Sequence, residues 1–154
     1  MIQISRVDKD RPAEPWLIKN LVRVFVEARR TRLQFLIDLH DADDDRAFFA
    51  KVVLPQNEVC LAEGDRAVAG FIAFAPGWVN HLYVAPPFQR RGVGAKLLDL
   101  AKRHNDSLQL WVFETNEPAI RFYERHGFRV PERTDGAGNE AKQPDVRMRW
   151  DCET

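Results

Sequence analysis

The run PFQRRGVGAKLL, residues 87–98, sets Gly92 and Gly94 two positions apart, behind Arg90 and Arg91 and ahead of a helical pattern. A glycine turn feeding a helix start exposes backbone N–H groups that have no intrahelical acceptor. The helix dipole adds positive charge at the same end, so the guest such a turn suits is an anion, usually a phosphate. Spacing sorts the known phosphate loops. GxxxxGK[ST] is absent. GxGxxG would need a glycine at Leu97 and a strand directly before the turn, whereas seven residues, Ala85 to Arg91, follow Val84. Glu114 lies 20 residues beyond Gly94, where a ribose-binding acid would stand. A nucleotide-binding α/β domain therefore stays open, as does a turn whose glycines serve only the backbone.

The elements that must position this turn follow from periodicity. MIQISRV puts Ile2 and Ile4 on one side of an extended segment. PWLIKNLVRVFVEARR then repeats Leu17, Leu21, Val24, Phe25 and Ala28 at helical spacing. A second helix is expected from about Thr31 into DADDDRAFFAKVVLP, with Asp43 to Asp45 as N-terminal charges and Pro55 at its end. EVCLAEGDRAVAGFIAFAPGWVNHLYV reads as three strands turned at Gly64-Asp65 and Pro76-Gly77. After the glycines come a helix carrying Leu97, Leu98 and Ala101, closed by Asn105, and the strand SLQLWVF. A helix over NEPAIRFYERHGF follows, with Asn116 able to cap it and Gly127 to end it, then a short strand at FRVPER. TDGAGNEAKQP reads as the most flexible loop, and DVRMRW as a strand with Val146, Met148 and Trp150 on one face. The order β, α, α, β, β, β, α, β, α, β, β specifies an α/β sheet of mixed strand direction with helices on its faces.

Composition bounds the function. The 154 residues, 45% hydrophobic, suit a single domain spanning 1–154. Lys plus Arg and Asp plus Glu are both 23, so no global field draws the chain to nucleic acid or an anionic membrane, and neither partner is expected. Cys60 and Cys152 have no metal-ligand spacing, which predicts two reduced thiols and no metal site. No apolar run reaches the roughly 18–20 residues that span a bilayer, so a cytoplasmic protein is the expectation.

Two motifs in order sharpen the reading. HLYVAPPFQRRGVGAKLL followed by LWVFETNEPAIRFYERHGF resembles the GNAT superfamily of acetyl-CoA-dependent N-acetyltransferases. That family shows a strand ending near a proline, [QR]xxGx[GA] opening a helix, a further strand, and N-x-x-A-x-x-[FL]-Y-x-x-x-G-F. Gln89, Gly92 and Gly94 match the first motif; Asn116, Ala119, Phe122, Tyr123, Gly127 and Phe128 match the second. The match is sharp over residues 78–130, about a third of the chain. It implies a mixed, mostly antiparallel sheet of about six to seven strands flanked by about four helices.

The resemblance also implies roles. The pyrophosphate of coenzyme A would sit on the N–H groups of Arg90, Arg91, Gly92, Val93, Gly94 and Ala95, with Arg90, Arg91 and Lys96 adding charge. Leu82 and Val84 would offer main-chain groups to the pantetheine arm, and the Leu82 N–H to an oxyanion. Gln89 belongs to the same loop, and Asn116 could bond the cofactor. Tyr123 matches the family tyrosine that faces the thioester sulfur as acid or hydrogen-bond donor. Where relatives often carry a carboxylate on the strand before the loop, this chain has Asn80 and His81. His81 is the candidate base, with Glu63, Glu114 or a water chain as alternatives.

The same resemblance lines the acceptor site with Phe25, Arg29 and Arg32 and with the loop near residues 134–144. The acceptor itself, a small-molecule or peptide amine, stays open among polyamines, aminoglycosides, amino acids, protein N-termini and lysines. A homodimer through exposed apolar positions on the last strand is a further expectation. The other function class to weigh is an acyl-CoA-binding module without catalysis, suggested by the missing carboxylate base.

Overall fold

A computed structural model describes residues 2–9, 14–30 and 41–153. Seven strands form one sheet in the order β1-β2-β3-β4-β5-β7-β6. They are β1 (Gln3–Arg6), β2 (Glu58–Gly64), β3 (Ala67–Ala75), β4 (Trp78–Val84), β5 (Ser107–Phe113), β6 (Arg129–Thr134) and β7 (Asp145–Asp151). Every pairing is antiparallel except β4 with β5, which is parallel. A dinucleotide fold needs a doubly wound parallel sheet, so this topology argues against the nucleotide reading.

Four helical runs among the described residues cover the two faces. They are α1 (Pro15–Arg30), a continuous run made of α2 (Ala42–Phe48), a π turn (Phe49–Val53) and α3 (Leu54–Gln56), then α4 (Val93–Arg103) and α5 (Glu117–Arg125). The α1 stripe Leu17, Leu21, Val24 and Phe25 is buried with Phe49, Val53, Val59, Leu61 and Phe71 on one face of the sheet. On the other, Leu97, Leu98 and Ala101 of α4 meet Ile72, Phe74, Leu108, Leu110 and Met148. Alternation along the strands sorts these two sets, since successive side chains leave opposite faces.

Local differences from the sequence expectations have local causes. Asp41 caps α2 in a capping box with Asp44, and the acidic residues Asp43 to Asp45 occupy its first turn as expected. The stretch from Thr31 to residue 40 that the second helix was expected to include, and with it Arg32, lies outside the described residues. The β2–β3 turn is one residue later than expected: Asp65 and Arg66 take positive φ, while Gly64 ends β2. A Cβ on Gly64 would stand 2.5 Å from Ile2 Cδ1, so that glycine makes room for β1 instead of forming the turn. Between β3 and β4 the turn is at Pro76-Gly77, with Gly77 at φ +78°.

The loop after β6 is closely bonded, against the expectation of flexibility. Asn139 Nδ2 donates to Gln143 O at 2.7 Å, Lys142 Nζ to Ala137 O at 2.7 Å and Gly136 N to Thr134 Oγ1 at 3.1 Å. The exposed apolar positions expected on the last strand are not there. β7 lies between β5 and β6, so Val146 and Met148 are fully buried and offer no exposed apolar edge.

Candidate functional site

The site grows from a break in the sheet. β4 and β5 pair only at Trp78 and Gln109, where Gln109 N donates to Gly77 O at 2.9 Å. Beyond that point the two strands part and leave a gap. Ala85 N donates to Ala69 O at 2.8 Å, which fixes the side on which β4 bonds to β3. Alternation then turns the main-chain groups of Leu82 and Val84 the other way, into the gap. Their side chains pack with the α4 core. Gln89 Nε2 donates to Val84 O at 3.0 Å, so this exposed side chain fastens the loop to the strand.

The glycine turn stands over the gap. A short 3-10 turn at Pro86–Phe88 buries Phe88, and Arg90 and Gly92 both take left-handed φ before α4 begins. The first intrahelical bond is Lys96 N to Gly92 O, and the N–H groups of Arg90 through Ala95 bond to no described residue. Nothing lies within 4 Å of where a Cβ on Gly92 would be, and one on Gly94 would stand 3.4 Å from the Phe122 ring. The turn is an open cradle of donors. Val93 turns its side chain into the core and offers only its N–H, while Arg90, Arg91 and Lys96 are exposed beside it.

Contact between Gly94 and Phe122 docks α5 against the start of α4. This sets Tyr123 near the gap, its ring 5.2 Å from Phe122 and 5.3 Å from Phe128. Its hydroxyl bonds to no described residue and is not sealed from open space. Burial first, and the nearby Tyr83 phenol second, hold its pKa above the ordinary phenol value. Asn116 precedes α5 with no side-chain cap bond, so its amide stays available, against the expected capping.

Below the gap, on the α1 face, a cavity of about 830 Å³ gathers Val22, Phe25, Val26, Arg29, Phe48 and His81 with Tyr83, Glu140 and Ala141. A bulge in β4 builds it. Ala73 pairs with His81 and Phe74 with Val79, so Asn80 is the extra residue and both Asn80 and His81 turn toward the α1 side. Asn80 Nδ2 is held by Asn57 Oδ1 at 2.8 Å, while the His81 ring lies among Phe25, Phe48, Phe49 and Tyr83. The π turn supplies part of this wall, since a π insertion shifts the helix face that Phe48 and Phe49 present.

Burial, and secondarily the Arg29 charge, lower the His81 pKa to about 4. The ring is neutral at pH 7, available to a base role but too weakly basic to hold an ammonium proton. Arg29 Nε and His81 Nδ1 are both sealed from solvent without a partner among the described residues. Arg29 stacks its Cζ 3.9 Å over the Phe25 ring.

Sequence reasoning put Phe25, Arg29 and the 134–144 loop at the acceptor site and named His81 separately as the candidate base; one cavity gathers all of them, the loop through Glu140 and Ala141. It leaves out Glu63, which lines a separate cavity beside β1 and α3, and Glu114, which is exposed at the end of β5. Tyr83 was missed, although alternation already put it on the face of His81.

The family follows from comparison. Residues 55–130 match the model of the acetyltransferase (GNAT) domain. An uncharacterized N-acetyltransferase of Archaeoglobus fulgidus is 31% identical over 155 residues, covering 90% of this chain and all of that protein. The chain belongs to the GNAT superfamily. It is an acyltransferase of the N-acetyltransferase type. The peptidyl-lysine N-acetyltransferase YiaC of Escherichia coli is 35% identical over 90 residues, 57% of this chain and 60% of that one. In fold, the crystal structure of PH1933 from Pyrococcus horikoshii superposes with a TM-score of 0.76 at 23% identity, over the whole of both chains. The GNAT sheet and its flanking helices are therefore the architecture of this chain.

Proposed function

We propose that this GNAT protein moves the acetyl group of acetyl-CoA to a primary amine by direct attack, with both substrates bound together. The observation that carries the reading is the β4–β5 gap under an uncapped donor turn: unpartnered N–H groups from Arg90 to Ala95 suit a pyrophosphate, and a thin polar arm can lie along Leu82 and Val84. Acetyl-CoA, when bound, supplies a thioester whose C–S bond breaks as the C–N bond to the amine forms, the sulfur leaving as a thiolate.

The chain's residues then have three tasks. The Leu82 N–H faces charge developing on the carbonyl oxygen. Tyr123 offers its hydroxyl to the sulfur. A phenol normally holds its proton more tightly than a thiol, but burial raises the proton affinity of both anions, and a hydrogen bond from Tyr123 stabilises the thiolate before any proton moves. His81, neutral, accepts a hydrogen bond from the amine, whose excess proton has gone to solvent before attack; the second proton, shed by the nitrogen as the amide forms, ends on the thiolate, so coenzyme A departs as a thiol. Asn116 and the charges of Arg90, Arg91 and Lys96 complete the coenzyme side.

The acceptor enters from the α1 face past Phe25 and Arg29, and the substrate class named for YiaC puts peptide amines in the first panel to test. We place the reaction in the cytoplasm, where Cys60 and Cys152 would remain thiols.

Calorimetric titration with acetyl-CoA tests the reading, with NAD as the control ligand and Gly94→Asp as the variant. Binding of acetyl-CoA but not NAD is expected, weakened at least tenfold in the variant by a carboxylate that enters between Phe122 and Val84, beside the donor turn. Equal acetyl-CoA affinity in both proteins, or none in the wild type, would refute it.

A further inference from the structure

Arg29 is the group that the acetyl-transfer reading leaves without a task. It sits in the last turn of α1, makes no ion pair or hydrogen bond with any described residue, and its Nε is closed off from solvent. An arginine N–H can only donate, so a sealed Nε lacks an acceptor that nothing in the described chain provides. Stacking on Phe25, with Cζ 3.9 Å from the ring centroid, holds the guanidinium in place in the cavity wall. His81 Nδ1, equally sealed, lies on a ring 6.1 Å from the same Phe25 centroid. A guanidinium that pairs with no described residue and a neutral imidazole therefore flank one aromatic ring in one cavity, with Nε and Nδ1 closed off and their other nitrogens left to face it. A simple alkylamine would satisfy His81 and leave Arg29 bare; a ligand with an amine and a nearby oxygen satisfies both.

We propose, resting on the acetyl-transfer reading, that the acceptor is an α-amine flanked by a carbonyl, as in a peptide N-terminus or an amino-acid amide, where one carbon bears the amine, the carbonyl and a side chain R. The carbonyl oxygen accepts from the Nη groups of Arg29, the amine donates to His81 Nε2, the nitrogens of the two side chains that are not closed off, and R lies on the apolar wall of Val22, Phe25, Val26, Phe48 and Val52. Asp44, Lys51 and Glu140 stand exposed around the same cavity, where a longer chain would pass.

Charge favours the same acceptor. Arg29 is close enough to His81 and Tyr83 to act on both, and it opposes a second cation beside it. An α-amine, with an ordinary pKa of about 8, is neutral to roughly a quarter near pH 7.5, whereas a lysine ε-amine is neutral to about one part in a thousand. Where no strong base removes the ammonium proton, that difference selects the α-amine.

The test needs only the full chain, acetyl-CoA and a thiol-release assay. Leucinamide is compared with 3-methylbutylamine, which has the same R and amine but no carbonyl, at matched concentrations of neutral amine. Leucinamide should show a kcat/KM about ten- to a hundredfold higher, the worth of a hydrogen bond to a charged group. Arg29→Met should bring the two amines to near equality. The paired substrates give the answer without any variant, should Arg29→Met fold poorly.

A leucine-led peptide without lysine and free leucine separate the sources, peptide amide against carboxylate, and turnover of either at the leucinamide level supports the proposal. Equal or faster turnover of 3-methylbutylamine, or of a lysine peptide with a blocked N-terminus, overturns it. So does acetyl-CoA binding with no turnover of any of these amines. Absence of acetyl-CoA binding in calorimetry instead overturns the acetyl-transfer reading, and the acceptor assignment falls with it.

Discussion

Replacing His81 with phenylalanine should make the protein less sensitive to acid by an amount the structure sets. The native ring titrates at about 4 because burial, and then the Arg29 charge, disfavour its protonated form; the unfolded ring titrates at its ordinary 6.5. Between those values the unfolded chain binds a proton that the native chain refuses. Stability from this residue is therefore fully present above about pH 6.5 and is lost as pH falls through about 4. Each tenfold difference in proton affinity is worth about 1.4 kcal/mol, so the loss between pH 7.5 and pH 5 is up to about 2 kcal/mol.

His126, also held below its ordinary value by burial first, loses stability in the same direction, as do Glu58 and Asp151, whose carboxyls are held below their ordinary values. These groups are present in both proteins and cancel in the difference. Phenylalanine joins Phe25, Phe48 and Phe49 and removes the orphaned Nδ1, so any constant offset in stability leaves the pH dependence readable. Urea unfolding of both proteins at several pH values measures it: the wild type should lose about 2 kcal/mol more than His81→Phe on going to pH 5. Parallel pH curves, or a steeper loss in the variant, would show that the ring is not held neutral in the native state. The account of His81 as a hydrogen-bond acceptor would then fail.

Two further substitutions probe the site and its support. Tyr123→Phe should lower kcat by about a hundredfold or more while Tm moves by little, because the hydroxyl bonds to no described residue; an unchanged kcat removes Tyr123 from the chemistry. Gly70→Ala puts a Cβ 2.7 Å from the Tyr83 carbonyl oxygen and should cost about 1–3 kcal/mol in urea unfolding by pushing β3 from β4, with no loss expected only if the strands separate freely.

Much of this fold was legible in the sequence. Leu17, Leu21, Val24 and Phe25, or Leu97, Leu98 and Ala101, repeat at the helical period because one face of each helix must meet the sheet, and all of them are buried. Gly92 and Gly94 were readable as a donor turn because only glycine leaves that backbone open. What was hidden depended on neighbours distant in the chain. Gly64 looked like a turn residue until Ile2 took the space above it. TDGAGNEAKQP looked loose until Asn139 found Gln143 and Asp145. Gln89 stood in the loop motif, and only the fold shows its amide bonded to Val84 O.

The site divides in the same way. Sequence alone determined which residue types were present: a donor turn, a tyrosine on a helix, a histidine and an arginine on elements that face one another. The tertiary structure decided what they are worth. The parting of β4 from β5 follows from one residue pair at Trp78 and Gln109, and the low pKa of His81 from four aromatic neighbours and one guanidinium. The orphaned Arg29 Nε has meaning only because nothing among the described residues reaches it. Periodicity and glycine conformation act within a few residues, and a sequence carries them directly. Burial, pairing and desolvation are set by whatever the whole fold brings alongside, and only the folded chain fixes them.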